Sequence, residues 1–151
     1  MPVIRSADSR RSTTPNGVMT TLASPTQGGA AQAVWRVDMP AGNSGPHHAS
    51  DGEQVWTFLT GGATVELDGE TVAVGAGDTV VMPADVSRRV HAGAESGFSA
   101  IVAAPAGCEV YNPGGITAAV QTWCSTQMSS IVMLATFCQS NTLPGPSMRV
   151  V

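Results

Sequence analysis

The sequence contains no lysine, and its seven basic residues are all arginine: Arg5, Arg10, Arg11, Arg36, Arg88, Arg89 and Arg149. Charged residues make up only 12% of the 151, against roughly 25% in an average soluble domain. The net charge is −4 and no basic stripe exists. Nucleic acid is therefore not an expected partner, because clustered cations are needed to neutralise phosphates. An anionic membrane surface is not expected either, on the same ground. No apolar run approaches the roughly 18 residues that span a bilayer. The longest, Ile131 to Cys138, is interrupted by Thr136. The first residues, Met1-Pro-Val-Ile-Arg5, lack the apolar stretch of a secretory leader, so a cytoplasmic location is expected. Cysteine is scarce: Cys108, Cys124 and Cys138 show no C-x-x-C spacing. They are expected to be free thiols acting as small buried apolar groups.

What the sequence does have is punctuation. Seventeen glycines and ten prolines separate short runs rich in Val and Thr, which is the pattern of an all-β sandwich or barrel. The predicted strands are Val18 to Ala23, Ala33 to Met39, Glu53 to Thr60, Thr64 to Leu67, Thr71 to Val74, Thr79 to Met82, Ser87 to His91 and Phe98 to Ala103. In the third run Gln54, Trp56 and Phe58 share one face, and Val55, Thr57 and Leu59 the other. Asp68-Gly69 between two such runs is a strong hairpin signal. Asp78 in Gly77-Asp-Thr79 reads as a turn residue, and Arg36 and Arg89 as surface residues. Strand alternation puts Arg88 and Val90 on one face and Arg89 and His91 on the other, so His91 is expected to point outward.

Three segments are expected: an N-terminal arm over 1–17, a barrel over 18–110, and an apolar extension over 111–151. From Val110 to Met148 there is no charged residue at all. Within it, Ile116 to Trp123 carries apolar residues at helical spacing. Such a segment either packs on the barrel or a partner subunit, or is foreign to the domain.

Two stretches carry the chemistry. Gly45-Pro-His-His-Ala-Ser-Asp-Gly-Glu-Gln-Val-Trp-Thr-Phe-Leu-Thr-Gly61 resembles the first motif of the cupin superfamily. Gly77-Asp-Thr-Val-Val-Met-Pro-Ala-Asp-Val-Ser-Arg-Arg-Val-His91 resembles the second. The resemblance implies a double-stranded β-helix, or jelly-roll, barrel, commonly dimeric, with its site inside. It also implies a metal held by His-x-His and a Glu or Gln from the first motif and one His from the second. Carried over, His47 matches the first histidine and Gln54 the side-chain oxygen, as in the subgroup with a Glu-Gln pair at 53–54. The second histidine position holds Ala49, and the last holds Arg88. Three imidazoles and an oxygen suit a divalent transition metal. A guanidinium stays protonated and offers no lone pair, while it makes a good fork for a carboxylate or enolate oxygen.

The leading expectation is thus a small-molecule enzyme of the isomerase, cyclase or lyase type, working without metal on an anionic or carbonyl-bearing substrate. His47, Arg88 and Gln54 are its catalytic candidates, with Trp56, Phe58 and His48 lining the substrate. One alternative is a metal-dependent oxygenase or cyclase in which His47 and Gln54 are joined by His48, His91 or Glu53, a bulge having turned His48 inward. The other is a non-catalytic ligand-binding module. The expected assembly is a homodimer.

Overall fold

The computed structural model describes residues 1–113 and 121–122. Eleven strands are seen among them: β1 (Arg11–Thr14), β2 (Gly17–Ala23), β3 (Gln32–Met39), β4 (Ala49–Ser50), β5 (Gln54–Leu67), β6 (Glu70–Gly75), β7 (Thr79–Met82), β8 (Arg88–Ala92), β9 (Phe98–Pro105), β10 (Glu109–Tyr111) and β11 (Gln121–Thr122). All of the pairings are antiparallel. The large sheet runs β1-β2-β3-β9-β5-β6, with β7 and β8 also on β5. A small sheet, β11-β10-β4, lies beside it. The sheet begins earlier than the arm expected over 1–17 would allow, because Arg11–Thr14 pairs with Gly17–Thr20. Of the extension over 111–151, only the start and β11 are described. The helical spacing over Ile116–Trp123 lies outside the described residues except at Gln121–Thr122, which is a strand on β10.

Strand β5 closes the barrel. Its first half, from Gln54, hydrogen-bonds to β7 and β9, and its second half, to Leu67, to β6 and β8. Pairing with β7 ends at Thr57 and with β9 at Gly61, and between them lies a register shift from Phe58 to Thr60, where the extra residue bends the strand. Gly61 follows at φ +72, and a Cβ there would collide with the Gly97 carbonyl, so the bend needs glycine. What reads in the sequence as two strands split by Gly61-Gly62 is therefore one bent strand. At the far end Asp68 (φ 52) and Gly69 (φ 81) both sit in the left-handed region. That is the type I′ geometry whose twist matches the flanking strands β5 and β6.

The inward positions of β5 are Gln54, Trp56 and Phe58, all buried, while Val55 and Thr57 are half-buried. Phe58 is fully buried and meets Phe98 of β9 edge-on at 5.2 Å between ring centroids. Such a pair adds about 1 kcal/mol beyond burial alone. Val65, Met82, Val90 and Val102 complete the same core. Next to this core, His48 is bridged to Arg88, and the Pro83–Ser87 loop is tied to β4 by Asp85 N–H to Ser50 O at 2.7 Å.

Candidate functional site

The site is assembled by an irregularity between the loop before β4 and strand β8. Ser44 pairs with His91 and His48 with Arg88. Three residues, Gly45, Pro46 and His47, therefore face only two, Arg89 and Val90. That surplus residue is a bulge. Gly45 N–H donates to Val90 O at 2.8 Å, and His48 and Arg88 exchange backbone bonds of 3.0 and 2.8 Å. Pro46, which has no N–H to donate, sits where the ladder is interrupted, as proline in a sheet must.

The bulge exchanges the roles of the two neighbouring histidines. Directly opposed residues of an antiparallel pair share a face. Along β8, Arg88, Val90 and Ala92 are buried and alternate with half-buried Arg89 and His91. His48 therefore lies on the inner face beside Arg88. Its Nδ1 is 2.8 Å from Pro46 O, and a carbonyl only accepts, so Nδ1 carries the hydrogen. Burial is the largest influence on the ring and pushes its pKa down to about 4, with repulsion from Arg88 and His47 acting the same way. His48 is neutral at pH 7, with a lone pair on Nε2.

His47 faces out. It is exposed, and its Nε2 is 2.6 Å from Ser87 Oγ. The two border an outer cavity of about 120 Å³ together with Glu66, Gly69 and Thr71. His91 also lies on the outer face, where Nδ1 meets Ser44 Oγ at 2.7 Å and Nε2 meets Glu66 Oε1 at 2.8 Å. Glu53 is exposed. The Ser44–His91 contact ties the bulged loop to β8. Replacing Ser44 with Ala is expected to cost about 1 kcal/mol, the worth of one partly buried hydrogen bond. Urea unfolding of the variant at pH 7 checks it.

Arg88 is the largest fully buried side chain, with 1% of its surface exposed. Nε donates to Val86 O at 3.2 Å and Nη2 to Pro83 O at 2.6 Å. No carboxylate pairs with it among the described residues, and Nη1 has no partner there. Burial lowers its pKa from the usual arginine value, opposed by Tyr111, Asp85 and Cys108 nearby. Asp85 is the closest thing to a counter-charge, yet its carboxylate accepts from Tyr111 Oη at 2.8 Å. Asp85 adopts φ +60, and its N–H donates to Ser50 O at 2.7 Å, so the loop is clamped onto β4. Asp85 belongs to the second motif and could be read from sequence as a carboxylate partner for Arg88, whereas Tyr111 lies outside both motifs and gave no signal.

Gln54 is 4% exposed. Its Oε1 accepts from Trp56 Nε1 at 3.0 Å, which fixes the amide and leaves its NH₂ as a donor. Trp56 and Phe58 lie 6.4 Å apart, centroid to centroid, within the core cluster.

The residues present do not fit the metal that the fold family implies. Ala49 supplies nothing, the Gln54 oxygen is already engaged, and the third imidazole position holds a buried cation that repels another. His48 is the one inward imidazole. Among the described residues no three His, Cys, Asp or Glu side chains are placed to share an ion. Nor is any helix there long and apolar enough to cross a membrane.

Comparison with known proteins agrees with this geometry at the level of fold. The polyketide cyclase RemF from Streptomyces resistomycificus superposes with a TM-score of 0.65 at 19% identity, covering 77% of this chain and 87% of that one. KdgF from a Halomonas species gives 0.59 at 19% identity, over 70% and 94%. Oxalate decarboxylase from Bacillus subtilis, a protein with Mn(II) centres, gives 0.60 at 14% identity, over 78% of this chain but 31% of that one. No curated protein sequence matches the chain. The family model described as the cupin domain matches residues 35–103, from β3 into β9. With that match over part of the chain, and a barrel shared with these neighbours, the chain carries the cupin jelly-roll fold.

Proposed function

We propose that the barrel binds an anionic or carbonyl-bearing small molecule against Arg88 and transfers a proton on it, as an isomerase, cyclase or lyase does, without a resident metal. The observation that carries this reading is the buried guanidinium with no carboxylate partner and a free Nη1 among the described residues. Taking one charge out of water costs several kcal/mol unless something compensates it. An anionic ligand oxygen would supply that compensation through a charge-assisted hydrogen bond.

The neighbouring groups suit proton transfer. Arg88 stabilises negative charge as it develops on an enolate or carboxylate oxygen. Neutral His48 accepts a proton at Nε2 and, as a strong conjugate acid, returns it. The Gln54 NH₂ orients a second oxygen. This moves the acid–base role expected of His47 to His48, because the bulge turns His47 outward. The fold likeness to a polyketide cyclase and a decarboxylase is compatible with such chemistry and does not specify it.

The test has two arms. Elemental analysis of protein purified without chelator is expected to give substoichiometric transition metal; one equivalent per chain would favour the metal-dependent reading instead. In D₂O, NMR is expected to show deuterium entering the carbon next to the carbonyl or carboxylate of a bound compound. His48→Phe should slow this exchange about 10²-fold or more. Binding with no exchange in any compound would make the barrel a non-catalytic binding module.

A further inference from the structure

We infer that the ligand held against Arg88 is a 2-hydroxy carboxylate, its carboxylate taken by the guanidinium and its hydroxyl donated to Nε2 of His48. This inference rests on the reading of the barrel as an anion site and adds the chemical group beside the anion.

The argument starts from the pairing of the two residues. His48 and Arg88 face each other across a backbone-bonded antiparallel bridge. Their Cβ atoms are then about 5 Å apart on one face, so the two side chains start from adjacent positions. The two groups are opposite in hydrogen-bond character. Arg88 Nη1 is a buried donor without a partner among the described residues, and only an acceptor can satisfy it. His48 has committed its Nδ1 hydrogen to Pro46 O. With the guanidinium cation alongside, its Nε2 stays a lone pair, and only a donor can satisfy it.

A plain carboxylate satisfies the first group and leaves the second empty. A second carboxylate would set its lone pairs against that of Nε2. A hydroxyl on the carbon next to the carboxylate satisfies both at once. Gln54 sharpens the pattern, because Trp56 occupies its oxygen and its NH₂ can only donate, which suits the second carboxylate oxygen. The whole set is two donors for one carboxylate and one acceptor for one hydroxyl.

The experiment compares matched acids on the intact wild-type protein by calorimetry and thermal shift: glycolate with acetate, lactate with propionate, malate with succinate. The hydroxy acid of each pair is expected to bind about tenfold tighter, the worth of one buried hydrogen bond, and lactate to show a preference for one enantiomer. His48→Phe should abolish that preference and keep carboxylate binding. Equal affinity within every pair for the wild-type protein would overturn the inference and leave the anion site standing. Failure of all six acids to bind would overturn the anion site itself.

Discussion

Arg88→Met is expected to weaken carboxylate binding by on the order of 10²-fold or more while leaving the barrel folded. Loss of a buried, charged hydrogen-bonding partner costs about 2–5 kcal/mol of binding, and each 1.4 kcal/mol is tenfold. The stability side differs, because the guanidinium is itself a burden on the empty fold. It is 1% exposed and no carboxylate among the described residues balances it. Methionine fills most of the same volume and needs no solvation, but it gives up the bonds to Pro83 O and Val86 O, worth about 1 kcal/mol each. The gain and the loss oppose one another, so the net change should stay within about 2 kcal/mol. Arg88→Ala is the contrasting variant. It leaves both carbonyls unpaired and opens a cavity, so a loss of about 3–5 kcal/mol is expected. Urea unfolding and calorimetry on the two variants measure both effects. Wild-type affinity in Arg88→Met would remove Arg88 from the site.

The second large effect is on pH. His48 titrates near 4 in the folded chain against 6.5 in the unfolded one. Between those values the unfolded state binds the proton and the folded state does not. Stability from this group is therefore complete above about pH 6.5 and is lost as pH falls toward 4. The full shift corresponds to about 3 kcal/mol. Urea unfolding of the wild type at pH 7.5 and 4.5 should show a loss of about that size, over and above what the carboxylates contribute. His48→Phe, with nothing to protonate, should flatten the profile by the same amount. An unchanged difference in the variant would mean that His48 is not the group responsible.

The strands were legible because alternation and punctuation report directly on a half-buried sheet. Val18–Ala23, Ala33–Met39 and Thr79–Met82 coincide with β2, β3 and β7 within a residue, and Asp68-Gly69 forms the hairpin turn its residue types demand. Strands β4 and β10, of two and three residues, are too short to show a period. The candidate residues were legible in composition but not in aim. Arg88, Gln54 and the histidine pair stand out in the sequence, yet one surplus residue at Gly45-Pro46-His47 decides which histidine faces in. Residue spacing alone cannot place that surplus, because it depends on pairing with β8, forty residues away. The glycine–proline dipeptide was the local signal for it. The attachment of Arg88 to two loop carbonyls has no sequence signature, since backbone acceptors are present everywhere.

The position of β9 bears on how the chain reaches this structure. β9 spans Phe98–Pro105 and lies between β3 and β5, bonded to both. During synthesis the partners on its two sides are complete long before it emerges. Until then β3 and β5 each present an open row of backbone groups, the kind of edge that pairs with other chains. Insertion of β9 removes both edges in one step and joins residues from about forty to about seventy positions apart, so closure is slow on topological grounds. The last core strand made is the one that turns two half-sheets into a barrel, and the interval before its arrival is when a nascent copy is most exposed to its neighbours.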